Sequence, residues 1–135
     1  PDFISSSPLA DTQGWVDVDK NTLQHKKFVN VFALGDAANT PNAKTGSAIS
    51  KQAPVVAQNI LLSIKGEHLK AVYDGYGSCP FIVGYGKLIL AEFNYENIPK
   101  ETFPFDQSKP RWTMWLLKKY FLPWYYWNRV LKGLS

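Results

Sequence analysis

Apolar and polar residues alternate along Gly14-Trp15-Val16-Asp17-Val18-Asp19, the two-residue period of a short strand with one buried side. Val29-Asn30-Val31-Phe32-Ala33-Leu34-Gly35 is a nearly unbroken apolar run ending in glycine, which predicts a buried, parallel-type strand. The loop Asp36 to Asn42 follows. The period then lengthens, with Ala48, Ile49, Ala53, Val56, Ile60, Leu61 and Ile64 recurring at helical spacing. Thr45 or Ser47 can cap this helix, and Lys65-Gly66 can close it. Pro54 removes one backbone donor and should kink it. Tyr73 to Pro80 reads as a turn-rich loop. Phe81-Ile82-Val83 and Lys87 to Phe93 flank Gly84-Tyr85-Gly86, the pattern of a β-hairpin. Two short helices should end the chain. The first is capped by Ser108, has Pro110 in its first turn and runs to Phe121. The second starts at Pro123 and stops at Gly133.

Charge divides the chain unevenly. Residues 1–106 hold nine Lys and eleven acids, whereas residues 107–135 hold Lys109, Arg111, Lys118, Lys119, Arg129 and Lys132 and no acid. Trp and Tyr crowd the same basic segment. An apolar body with a polar edge suits these rings to a membrane interface, and the cations suit anionic headgroups. No apolar run reaches the roughly 18–20 residues of a spanning helix. The tail is therefore expected to lie on a membrane surface as amphipathic helices. The competing reading is a protein contact, such as a homo-oligomer interface. Basic and aromatic residues also occur together in single-strand nucleic-acid binders. No groove-forming sheet motif accompanies them here, so no nucleic-acid partner is expected.

Other chemistry is sparse. A lone cysteine, Cys79, cannot form an internal disulfide and reads as a packed residue. His25 and His68 lack metal-ligand spacing, and no metal site is expected. One free thiol agrees with a reducing compartment. The opening Pro1-Asp2-Phe3 does not resemble a signal peptide, and the chain reads as part of a longer protein.

The strongest local signal is strand, Gly35-Asp36, loop, helix. A carboxylate at the carboxyl end of a strand can accept hydrogen bonds from hydroxyls, and the next helix presents free N–H groups and a positive dipole. A Gly-Asp pair also serves plain turns, so both a turn role and a ligand role stand on these residues alone.

Val31-Phe32-Ala33-Leu34-Gly35-Asp36-Ala37-Ala38 resembles the second FAD motif of two-dinucleotide-domain flavoproteins. Further segments occur in matching order. They include Thr22-Leu23-Gln24-His25-Lys26-Lys27, Pro41-Asn42-Ala43-Lys44-Thr45, Tyr73-Asp74-Gly75-Tyr76-Gly77-Ser78-Cys79-Pro80, Ile89-Leu90-Ala91-Glu92-Phe93 and Phe103-Pro104-Phe105-Asp106-Gln107-Ser108-Lys109. Together they resemble the sulfide:quinone oxidoreductase family over most of residues 8–132. The resemblance implies FAD, sulfide oxidation through redox cysteines, and electron delivery to a membrane quinone. It gives Asp36 the ribityl chain of FAD, puts Gly35 and Ala37 beside the flavin, and aims Lys44, Thr45 and Gly46 at the flavin's pyrimidine side. No residue of this chain is assigned a catalytic role.

Two departures qualify that picture. Many members of the family's mitochondrial-like branch have a redox cysteine directly after the Gly-Asp pair, where this chain has Ala37, so either sulfur handling uses cysteines outside this chain or the donor is not sulfide. No Gly-x-Gly-x-x-Gly turn follows a strand, so the pyrophosphate-binding turn is expected upstream and the chain alone should retain FAD weakly or not at all. The expected architecture is α+β for the fragment. Within an intact α/β two-dinucleotide-domain flavoprotein, residues 1–70 would close the FAD-binding domain and 71–135 would form a hairpin and membrane region. The expected location is the periphery of a membrane, on a cytoplasmic or mitochondrial inner-membrane face. A type II NADH:quinone dehydrogenase and a non-catalytic membrane-docking module are the alternatives.

Overall fold

The computed structural model describes residues 2–134. A short helix α1 (Asp2–Ser5) leads into irregular, bridge-rich chain. The long helix α2 (Gly46–Ile64), the antiparallel hairpin β1 (Gly77–Gly84) and β2 (Lys87–Phe93), and the helices α3 (Trp112–Leu116) and α4 (Leu122–Asn128) follow. The architecture is α+β, as expected. None of the described helices is long and apolar enough to cross a membrane.

α2 starts where the sequence places it. Thr45 is its N-cap, and its hydroxyl accepts from Ala48 N at 3.3 Å. The helix runs through Pro54, which lies on an exposed face. It closes in a Schellman motif. Glu67 N donates to Leu62 O, Gly66 N donates to Ser63 O, and Gly66 takes the left-handed φ of +68° that glycine adopts without strain.

The Val29–Gly35 strand does not form. Among the described residues its backbone makes one antiparallel bridge, Gln24 with Phe32, and Val29 is exposed. Ala33 N donates to Leu23 O and Gly35 N to the Gln52 side chain, so its donors are met piecemeal. A parallel strand needs a strand at its edge, and the described residues supply none here. The Gly14–Asp19 segment behaves similarly, with isolated bridges to Ala10, His25 and Ala38, yet Val16 and Val18 are buried as its alternation requires.

The hairpin is longer than expected. Pairing begins at Gly77 opposite Phe93 and takes in Ser78 to Pro80, which the sequence reading assigned to a loop. Pro80 is tolerated because a two-stranded sheet has free edges. Val83 is the extra residue of a bulge before the turn, where Gly86 adopts φ +66°.

The tail differs more. Ser108 does not cap a helix; its hydroxyl bonds Asp106, and Pro110 precedes the helix. α3 and α4 form one continuous rod joined by a π turn at Leu117–Phe121. Leu122 N donates five residues back to Leu117 O. Pro123 has no N–H, and its ring would press on the carbonyl four residues earlier, so widening the preceding turn absorbs the proline without breaking the rod. Gly133, at φ +66°, ends the tail as expected.

Two apolar clusters hold the chain. The first gathers Val16, Val18, Leu23, Ala38, Val56 and Tyr73; the second joins Leu88 and Leu90 of β2 to Met114 of α3. Buried polar groups tie them in place. The Asn59 side chain donates to Thr22 O and Ala71 O and accepts from Ala71 N, fastening two loops to α2. Buried Glu92 accepts from Tyr76 Oη, from Thr102 N and Oγ1, both at 2.8 Å, and from Gln107 Nε2 at 2.7 Å, which pins the loop before α3 to β2. Burial alone would raise the Glu92 carboxyl's pKa, but these donors outweigh it and hold it below its ordinary value.

Asn59→Leu removes three buried hydrogen bonds and strands the loop groups, so urea unfolding should show a loss of roughly 2–4 kcal/mol. Glu92 contributes stability that is present above its unfolded value of 4.5 and lost as pH falls through its lower folded value. Glu92→Gln should therefore be less stable than the parent at pH 7, and thermal melts should show the gap closing below pH 4.5.

Candidate functional site

The loop before α2 gathers the residues singled out in the sequence. Gly35, Asp36 and Ala37 form one 3-10 turn at the end of the extended segment. Gly35 is demanded twice. Its φ is +63°, and a Cβ there would stand 3.1 Å from the Ile49 side chain on α2. Its N–H donates to buried Gln52 Oε1 at 2.7 Å, which locks the turn against the helix. This leaves the Asp36 side chain exposed, at the carboxyl end of the segment.

Lys44 has a local task. Its ammonium donates to Ala38 O and to Thr40 O at 3.3 Å, and it lies 4.8 Å from the centre of the Trp15 ring. Burial lowers its pKa, and the nearby Asp36 carboxylate opposes that shift. Lys44 thus braces the loop and brings positive charge toward Asp36. Thr45 is committed to capping, while Gly46 opens α2 with free space where a Cβ would stand.

The same loop contains two buried polar atoms without protein partners, Thr40 Oγ1 and Asn42 Oδ1. Buried polar atoms are normally satisfied, so this loop retains capacity for a polar ligand or water. Of these groups, the exposed Asp36 carboxylate and the helix N-terminus are the ones that a flavin's polyol and ring edge could reach. No cluster of metal-ligating side chains occurs among the described residues.

A groove of about 760 Å³ begins at this helix start. Thr45, Gly46 and Ser47 line one end, Ser78, Cys79 and Pro80 of β1 form a wall, and Leu117, Phe121 and Tyr125 of the tail close the other. Its size is that of a small-molecule site. Ser47 positions the wall, since its hydroxyl accepts from Ser78 N at 2.8 Å and donates to Ser78 O at 3.1 Å. Cys79 is half-buried beside that contact and lines the groove, not a packed core as the sequence suggested. Tyr76, Glu92 and Thr102 also reach the groove. Burial and the Glu92 carboxylate raise the Tyr76 phenol, which remains a donor. Below it, Tyr73 is buried. Its hydroxyl accepts from Asn42 Nδ2 at 2.9 Å and donates to Tyr76 O at 2.6 Å, and burial pushes its pKa up to about 12. The periodicity of β2 forecasts that Glu92 shares a face with Leu88 and Leu90. Nothing local indicates that Tyr76, Thr102 and Gln107 converge on it.

No protein-family model matches the chain. Individual proteins do. The mitochondrial sulfide:quinone oxidoreductase of Mus musculus is 51% identical over 98% of this chain and 30% of its own length. That of Schizosaccharomyces pombe is 50% identical over 98% of this chain and 30% of its own length, and that of Dictyostelium discoideum 50% over 96% and 29%. Among solved structures, a chain in the cryo-EM structure of the Tetrahymena thermophila mitochondrial ATP synthase superimposes with a TM-score of 0.81 at 30% identity, covering 96% of this chain and 33% of that one. Over nearly all its residues the chain is therefore similar to mitochondrial sulfide:quinone oxidoreductases, consistent with the C-terminal portion of such a protein, and it spans about 30% of the length of the curated relatives it matches.

Proposed function

We propose that this chain is the quinone-side portion of an FAD-dependent oxidoreductase that passes electrons from sulfide, or a related sulfur donor, to a membrane quinone. One observation carries the reading. A single groove is lined by candidate flavin residues Thr45 and Gly46, by Cys79, and by the aromatic tail. Residues 1–70 face the flavin, and residues 71–135 build the groove's far wall and the membrane foot. Asp36 holds the ribityl hydroxyls, with Gly35 and Ala37 shaping the turn beneath them. Bound FAD supplies two-electron acceptance from the donor and delivery to the quinone. The N-terminus of α2 faces that ring edge with positive potential.

The apolar groove walls exclude water and seat a quinone ring, and the exposed tail aromatics let the ring arrive from lipid. Cys79 is the group of this chain able to carry sulfane sulfur, Ala37 being inert. A second thiol comes from outside these residues. The location that follows is the periphery of the mitochondrial inner membrane, on anionic lipid, with a homo-oligomer as the expected assembly.

A second reading has one observation in its favour. The related chain in the Tetrahymena ATP synthase structure belongs to a large mitochondrial assembly. By that reading this fold serves as a non-catalytic membrane-docking part. The higher identity to the oxidoreductases favours the catalytic reading.

The full-length protein should reduce a short-chain ubiquinone with sulfide as donor, and anaerobic sulfide should bleach its flavin band. No bleaching by sulfide or any sulfur donor would sink the catalytic reading. Asp36→Ala should weaken FAD retention roughly ten- to a hundred-fold, the worth of hydrogen bonds to a charged group, read as the flavin-to-protein ratio after gel filtration. Cys79→Ser should keep its flavin and lose sulfide-dependent turnover. Retained turnover in that variant would move sulfur handling elsewhere.

A further inference from the structure

Turns at hairpin tips are ordinarily polar, because they face water. The tip between β1 and β2 is not. Phe81, Ile82 and Val83 are each at least half exposed, and Tyr85 in the turn is 95% exposed. From Gly75 to Ala91 the chain carries no acid and one cation, Lys87.

This tip is fixed to the tail rod. Leu88 and Arg111 exchange backbone hydrogen bonds at 2.9 and 3.2 Å. Tyr85 packs on Trp115 at 5.7 Å between ring centres, and a Cβ on Gly86 would lie 3.3 Å from Trp112. The Lys118 ammonium donates to Pro80 O at 3.2 Å. Trp112, 61% exposed, stands beside the tip at the start of the rod. The surrounding charges are cationic, namely Lys87, Arg111, Lys118 and Lys119. The acids flanking the hairpin in sequence are engaged elsewhere: Asp74 pairs with Lys100, Glu92 is buried and hydrogen-bonded to Tyr76, Thr102 and Gln107, and Asp106 pairs with Lys109 at 3.2 Å.

We propose that the hairpin tip, Phe81-Ile82-Val83 with Tyr85, is a second membrane anchor that enters the anionic bilayer interface beside the tail rod. The inference rests on the membrane reading above and adds an element to it. An exposed apolar tip flanked by Trp and by cations without acids matches acyl chains below negative headgroups. A rod alone can roll about its own axis on a surface. A rod plus a rigidly attached tip sets one orientation, which fixes where the groove opens relative to lipid.

The test uses the full-length, flavin-loaded protein and vesicles of phosphatidylcholine with an anionic phospholipid. The double variant Ile82→Ser, Val83→Ser removes apolar contact at two exposed positions outside the groove lining. Flotation should show binding weakened about ten-fold or more, as expected for losing two aliphatic side chains from the interface. Flavin content, thermal midpoint and turnover with a water-soluble quinone should stay at parental values, and Ile82→Leu, Val83→Ile should bind like the parent. Equal flotation of the serine variant and the parent overturns the tip's role while leaving the membrane reading intact. A lowered thermal midpoint or flavin loss in the serine variant overturns it differently, by showing that the tip packs against protein. Failure of the parent itself to float sinks both.

Discussion

One serine pair joins the two halves of this chain. Ser47, in the first turn of α2, exchanges hydrogen bonds with the backbone N–H and C=O of Ser78 on β1. A helix N-terminus has unmet donors, and a strand at a sheet edge has unmet donors and acceptors. A hydroxyl can serve both ways, so it satisfies the strand while holding it against the helix. Around that clasp, Asn42, Tyr73 and Tyr76 form a second buried link between the loops that lead into these two elements. These contacts help fix the loop that presents Asp36 relative to the hairpin that carries Cys79, and so give the groove between them its wall.

The hairpin passes this placement on to the tail. Its second strand contributes Leu88 and Leu90 to the cluster under α3, and the Glu92 carboxylate gathers the loop that leads into the rod. Position therefore runs from α2 through β1 and β2 to the aromatic rod. The rod buries little else: Met114 is its one fully buried apolar residue among those described, while Trp124, Trp127 and Phe121 remain exposed. A surface so apolar and so basic costs free energy in water and gains it against lipid. The same chain thus has a polar, hydrogen-bonded end and an exposed aromatic, basic end, the contrast on which the proposed cofactor and membrane roles rest.

Ala37 and Cys79 bear most on the sulfur chemistry proposed for this portion. A methyl beside the Gly-Asp turn carries no sulfur, whereas Cys79 on β1 lines the groove. The exchange of a cysteine for alanine at one position is legible residue by residue. That Cys79 lies along the cavity is not, because a half-buried strand residue next to a proline has the same sequence signature whether it borders a core or a groove.

Local physics was enough for much of this protein. The period of α2, its Thr45 cap and its glycine stop follow from side-chain spacing and left-handed backbone, all within a few residues of each other. The Gly35-Asp36 turn, the hairpin with its Gly86 and the charge segregation of the tail were equally local. The tertiary structure decided what depends on partners distant in sequence. The Val29–Gly35 run has strand composition, but a strand exists only as a pair, and no neighbour among the described residues supplies one. Pro123 reads as a break, yet a widened turn carries the helix through it, because one lost hydrogen bond costs less than exposing the rod's ends. The groove lies furthest from the sequence. Its wall depends on residues 31 apart meeting at Ser47 and Ser78, and only packing in three dimensions determines that meeting.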